Sequence, residues 1–295
     1  MATFGGRAGA EWLAAAAPSL FVLLWSTGFI GAKLGLPYAE PLTFLIVRFA
    51  LVVALLLPAT LWLKSRWPRT PAQALHIAVA GVLVHAGYLG GVFSAIHHGL
   101  AAGFAALIVG LQPVLTAVAA PRLLGERVSA RQWLGLVLGL AGVALVVWEK
   151  LPAGKASAAG VALAALALAS ITAGTLYQKR HGGGADPAPG SVIQFAASAL
   201  VLAPFALALE TREIVWSGEF VFALAWLVLV LSVGAIGLLY MMLRRGEAAR
   251  VSSLFYLTPP VTALMGYLIF GETLGALALA GMATAAAGVA LAMKG

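Results

Sequence analysis

The residues that could do chemistry in this chain are few. In the segment 72–95, Gly81, His85, Tyr88 and Val92 fall on one face at helical spacing, with His85 near the middle. In the segment 250–270, Ser252, Tyr256, Pro259 and Ala263 share a face. There Pro259-Pro260 removes two backbone donors, which should bend a helix or leave carbonyls open. Gln112 stands beside Pro113, and Trp25 shares a face with Gly28 and Ala32, whose small size leaves space beside the indole. An imidazole, phenols, a hydroxyl, an amide and an indole can hold a small solute by hydrogen bonds and ring contacts. The competing reading is that each ties one helix to a neighbour through a single hydrogen bond.

Bond-making chemistry finds no support. There is no cysteine, no His-Glu-x-x-His and no Gly-x-x-x-x-Gly-Lys-Ser/Thr loop. His76, His85, His97, His98 and His181 show no metal-ligand spacing with acids. No enzyme activity, metal or cofactor is expected. The acids are Glu11, Glu40, Glu126, Glu149, Asp186, Glu210, Glu213, Glu219, Glu247 and Glu272, all in loops or at the ends of apolar segments. Proton relays in membranes commonly use buried carboxylates, so this placement argues against carboxylate-coupled proton movement. Glu126 and Glu272 each precede the helix that closes their half, where a carboxylate complements the helix dipole. Arg48 is the only Lys or Arg inside an apolar segment. Near the end of its helix it could snorkel to the interface, or it could serve as a gate or anion-binding group.

These residues must be positioned by elements suited to lipid. The chain has 295 residues, 62% hydrophobic and 9% charged, against about 25% charged in soluble domains. Ten apolar segments have spanning length: 12–33, 41–63, 72–95, 100–121, 131–149, 157–178, 190–209, 219–241, 250–270 and 275–293. All should be helices, since strand edges facing lipid would leave backbone groups unpaired. Gly-x-x-x-Gly spacings at Gly31/Gly35, Gly87/Gly91, Gly99/Gly103 and Gly135/Gly139 predict close helix packing.

The chain also matches itself at a shift of 146 residues. Leu111, Pro113, Thr116, Ala117 and Gly125-Glu126 fall on Leu257, Pro259, Thr262, Ala263 and Gly271-Glu272. Gly28, Lys33, Pro41, Phe49 and Pro58 fall on Gly174, Lys179, Pro187, Phe195 and Pro204. Two units are therefore expected, 1–149 and 150–295, with five helices each. An odd number of helices inserts the second copy from the opposite face, as an inverted repeat. Lys and Arg collect on one side, at Lys64, Arg66, Arg69, Arg122, Arg127, Arg131, Lys179, Arg180, Arg244, Arg245 and Arg250 among others. That side should be cytoplasmic, with both termini. The formal charge of +8 then reflects topology, and no nucleic acid is expected as a partner.

Trp25-Ser26-Thr27-Gly28-Phe29, Pro41 with Arg48-Phe49, Gln112-Pro113-Val114 with Gly125-Glu126, and Thr258-Pro259-Pro260 with Gly271-Glu272 form one pattern. In it the chain resembles the drug/metabolite transporter superfamily, its ten-helix EamA-type exporters, and among these the YddG-type amino-acid exporters. The resemblance implies an all-α integral membrane protein of ten transmembrane helices in a 5+5 inverted repeat, in a bacterial inner membrane. It implies alternating-access export of small metabolites, amino acids foremost. Cationic drugs, nucleotide sugars or a channel-like facilitator are the alternatives. It also implies a cavity lined by helices 1, 3, 4, 6, 8 and 9. On that basis His85, Tyr88, Trp25, Gln112, Ser252 and Tyr256 are the expected substrate-binding residues. Gly28, Pro113, Pro259 and Pro260 are the expected hinge or gating positions. The expected partners are a small-molecule substrate and the lipid bilayer, with the chain a monomer or weak homodimer.

Overall fold

In lipid a backbone can satisfy its own polar groups only as a helix or a closed barrel, and this chain takes the first solution. The computed structural model describes residues 4–100, 105, 108–148, 158–182, 186–246, 248–270 and 274–294. The expectations on Gly103, Glu149, Glu247 and Gly271-Glu272 lie outside the described residues, as do those on the side chains of Glu11 and Lys33. The helices are α1 (Phe4–Gly35), α2 (Pro41–Trp62), α3 (Pro71–His97), α4 (Gln112–Leu124), α5 (Ala130–Trp148), α6 (Ala158–His181), α7 (Pro187–Leu209), α8 (Gly218–Arg245) and α10 (Ala276–Met293). Between the last two lies α9, which comes in pieces: Ala248–Ser253, a 3₁₀ turn over Leu254–Leu257, and Thr258–Phe270. Among the described residues there is no strand, only an isolated antiparallel bridge between Ala39 and Ile214.

Eight of these helices are long and apolar enough to cross a membrane. The other two predicted spans are shorter as helices. α4 is described continuously only from residue 108, and α9 is broken where Pro259 and Pro260 withdraw their backbone donors. Starts are set locally. Pro41, Pro71 and Pro187 open α2, α3 and α7, where a missing N–H costs nothing. Thr70 accepts from Gln73 N–H to cap α3, and Ser217 accepts from Phe220 N–H to cap α8. The outer faces carry exposed Leu134, Leu200, Phe222 and Leu229 where a soluble protein would place charge. Trp62, Trp148 and Trp216 stand exposed at helix ends, as interfacial anchors should.

The duplication is visible in the packing. α2 lies against its counterpart α7, and α5 against its counterpart α10. In the α5–α10 seam a Cβ added at Gly142 or Gly288 would come within 3.0 Å of the facing backbone, at Gly281 and Ala285 or at Gly135 and Gly139. Glycine is required there by close approach. The Gly135/Gly139 spacing thus serves packing inside the chain, and Gly87 and Gly91 likewise bring α3 onto α6, beside Ser170 and Ala167.

One symmetric feature has no signature in residue spacing. α3 switches to π-helix over Val82–Gly90, and α8 does so over Leu227–Ala235, its repeat counterpart to within one residue. π segments widen a helix by one residue per turn and are concentrated at functional sites.

Candidate functional site

Both π segments face the same space. A cavity lies between α1, α2, α3 and α8, lined by Trp25, Gly28, Ala32, Arg48, Val84, His85, Tyr88, Leu89, Val92, Phe93, Leu231 and Ile236. The volume available to water is about 40 Å³. That holds a few water molecules, at roughly 10–15 Å³ each, and is too small for a metabolite. Position along the helices places the cavity from the middle of the bundle toward the face opposite the arginine-rich ends.

Helix α1 supplies one wall. Trp25 stacks on Tyr88 of α3 at 6.5 Å between ring centroids and 13° between planes. Phe21 and Phe255 hold the indole from behind, at 5.2 and 5.1 Å. Gly28 lets Leu231 of α8 approach closely; a Cβ there would lie 2.6 Å from Leu231 Cδ2. Trp25, His85 and Tyr88 all line this cavity, and α9 contributes Phe255 beside the indole.

Arg48 forms part of the cavity wall instead of snorkelling to the interface. It is 2% exposed. Its Nε donates to Ser232 Oγ at 3.0 Å, and Ser232 in turn donates to Leu227 O within the π segment of α8. Among the described residues no carboxylate pairs with it.

His85 is fully buried and forms a partition. Its ring stacks on Phe195 at 4.2 Å and 19°, and meets Phe49 at 5.9 Å. Phe49 and Phe195 are repeat counterparts and touch each other at 5.3 Å. The pseudo-two-fold axis of the repeat therefore passes beside this histidine. Beyond it lies a second, smaller cavity, lined by Ile77, Gln178, Gly182, Pro187, Gly190, Ser191, Gln194, Tyr240 and Arg244, toward the arginine-rich face. Tyr240 Oη is 3.5 Å from His85 Nε2, and Gln194 donates to Gln178 Oε1 at 2.9 Å. Gln194 is the repeat counterpart of Arg48. The two cavities are thus related positions on either side of one aromatic layer.

The other expected binding residues lie elsewhere. Gln112 Nε2 donates to Ser252 Oγ at 3.2 Å, joining α4 to α9, and both are buried. Tyr256 is fully buried against Gly139 of α5. None of the three lines either cavity, nor do Pro113, Pro259 and Pro260. Ser252, Tyr256 and Ala263 of the face read at helical spacing are buried, but against neighbouring helices and not at either cavity, and a 3₁₀ turn over Leu254–Leu257 interrupts the helix between them. The residues that spacing missed are Ser232, Leu231 and Phe255. Arg48 carried a signal, as the lone cation in a span.

The arginine-rich face is tied shut. Glu126 Oε2 accepts from Ala248 N–H at 2.8 Å, and its Oε1 lies 3.7 Å from Lys179 Nζ. Glu126 therefore complements the start of α9 and not the helix that follows it in sequence. Lys179 also donates to Gly246 O, Arg244 to Gly182 O and Arg180 to Leu123 O.

Comparison with known proteins agrees with this architecture. Residues 12–148 and 158–294 each match the model of the EamA-like transporter family. The chain is 28% identical to the "Uncharacterized transporter YvbV" of Bacillus subtilis, over 90% of this chain and 86% of that one. It is 27% identical to a "Probable amino-acid metabolite efflux pump" of Salmonella typhimurium, over 92% and 91%. A crystal structure, described only as that of a protein, superposes with a TM-score of 0.79 at 20% identity, over 95% of this chain and 97% of that one, and shows the same fold.

Proposed function

The chain belongs to the EamA-like transporter family, whose unit it carries twice, and from that premise we propose that it exports amino acids or close relatives across a bacterial inner membrane by alternating access. Membership makes it a multi-pass membrane transporter, and not an enzyme. The observation that carries the finer reading is the pair of cavities on either side of His85. Two partial cavities at related positions of an inverted repeat are what a carrier needs to expose one site to each face in turn. With the arginine-rich face cytoplasmic, the larger cavity is on the periplasmic half and the ties around Glu126 and Lys179 close the inside. The Salmonella relative described as a probable amino-acid metabolite efflux pump supports the substrate class.

In this reading Trp25, Tyr88 and His85 contact substrate, and Gly28 allows α1 to move against Leu231. Gln112, Ser252 and Tyr256 join α9 to α4 and α5 and stand outside both cavities. The cavity must widen before a whole amino acid fits. Liposomes containing the purified protein, tested against a panel of labelled amino acids, check the proposal. Saturable uptake with counter-flow is expected. Uptake of cationic drugs or nucleotide sugars and of no amino acid would overturn it. Tyr88→Ala should leave yield intact and alter apparent affinity or the ranking of substrates.

A further inference from the structure

We propose that Arg48 is the anchor for a carboxylate on the transported molecule, so that this carrier selects solutes bearing a carboxylate; the inference deepens the amino-acid reading above and rests on it. The geometry supplies the argument. Arg48 is 98% withdrawn from solvent, in a helix that crosses lipid, and has no carboxylate partner among the described residues. An ion buried without a counter-charge is costly and is kept for function. Only Nε is engaged, by Ser232 Oγ. The guanidinium terminus keeps its donors, in the planar fork that matches a carboxylate. Arg48 also lines the cavity together with Trp25 and Tyr88.

Size agrees. Space for a few waters admits a carboxylate group, though not a whole metabolite. The stacked rings of Trp25 and Tyr88 lie beside it and offer a surface for an apolar side chain. The repeat supplies a contrast. At the position related to Arg48, the other cavity has the neutral Gln194, already donating to Gln178. The strong carboxylate site therefore exists on one side of the His85 partition only. Ser232 is a positioning residue, since it fixes the Nε edge and leaves the other edge for the ligand.

The test uses purified full-length protein in lipid nanodiscs, with binding read from tryptophan fluorescence and thermal shift. The probes are L-phenylalanine and L-leucine, their amides, 2-phenylethylamine and 3-phenylpropionate. The acids are expected to bind roughly tenfold or more tighter than the corresponding amides. Arg48→Gln should abolish that preference, so that each acid binds no tighter than its amide. Should Arg48→Gln fail to fold, Arg48→Lys, which keeps the charge and loses the fork, should reduce the preference without removing it. Equal binding of acid and amide by the wild type overturns the anchor and leaves the amino-acid reading standing. Binding of 3-phenylpropionate through Arg48, with none of either amino acid, keeps the anchor and sinks the amino-acid reading. Binding of no carboxylate probe, or of 2-phenylethylamine alone, overturns the anchor.

Discussion

Glu40 and Asp186, repeat counterparts 146 residues apart, clasp opposite ends of the same antiparallel helix pair. Glu40, just before α2, accepts from the N–H and the hydroxyl of Thr211, each at 2.6 Å, on the chain leaving α7. Asp186, just before α7, accepts from Arg66 N–H at 2.7 Å on the chain leaving α2, and its other oxygen lies 3.3 Å from the Arg66 guanidinium. Each repeat thus holds the exit of the other, once at each face.

The first prediction concerns acid. The Thr211 hydroxyl, and then the backbone N–H groups of Thr211 and Arg212, hold the Glu40 carboxyl below its ordinary value of 4.5; the Arg66 backbone N–H and then its charge hold Asp186 below 3.8. A carboxyl with a lowered folded-state pKa contributes stability above its unfolded value, and this is lost as pH falls through the folded one. Melting temperature should therefore drop as pH falls below about 4.5, and the drop should be shallower in Glu40→Gln/Asp186→Asn. The difference will be modest, because both carboxyls stand in solvent. Parallel pH profiles for the two proteins would remove the clasps from the account of acid stability.

A second prediction tests the seam between α5 and α10. Gly142→Ala forces a methyl group against the backbone of Gly281 and Ala285 and should cost about 1–3 kcal/mol. Gly237→Ala, in α8 with no atom within 4 Å of the added Cβ, should gain about 0.5–1 kcal/mol from helix propensity. Thermal unfolding of the two variants in detergent should move in opposite directions.

Topology gives a third. The chain lacks cysteine, so single introduced thiols report without background. Glu213→Cys, on the exposed stretch after α7, should react with an impermeant maleimide added to intact cells. Ala72→Cys, exposed at the start of α3, should react only after the membrane is opened. The reverse pattern would invert the assignment of faces made from Lys and Arg.

The tie between α4 and α9 supplies a fourth. Ser252→Ala leaves the buried Gln112 amide short of a partner and should cost about 1 kcal/mol. The ranking of substrates should stay as it is, since neither residue lines a cavity in this state. A changed ranking with unchanged stability would show that α9 presents Ser252 to substrate in another state.

The last prediction is on energy coupling. No carboxylate is fully buried among the described residues. Transport should therefore persist without a pH gradient. A strict requirement for an imposed gradient, lost in His85→Ala, would assign proton coupling to the partition histidine.

The transmembrane helices, the duplication and the transporter class are legible in the residues alone. The reason is that their signals are local. A bilayer leaves a spanning segment one way to satisfy its backbone, so about twenty apolar residues already mean a helix. Pro41, Pro71 and Pro187 mark helix starts wherever the rest of the chain goes. Spacing offers His85, Tyr88 and Trp25 only as single groups on helix faces, and it is the family resemblance, with helices 1 and 3 on a cavity wall, that groups them. Arg48 could be recognised as unusual, but its partner could not be read, because Ser232 lies 184 residues away and reaches it only when α8 packs on α2. The π segments were equally hidden, since helix spacing assumes a regular period and the break in it comes from packing. Gln112 and Ser252 look like site residues in sequence and prove to bond each other, because a polar side chain in lipid takes whichever partner the neighbouring helix brings. Local chemistry thus determines which groups are available, and only the packing of helices distant in sequence decides which are spent on each other and which, like the terminal nitrogens of Arg48, are left without a partner among the described residues.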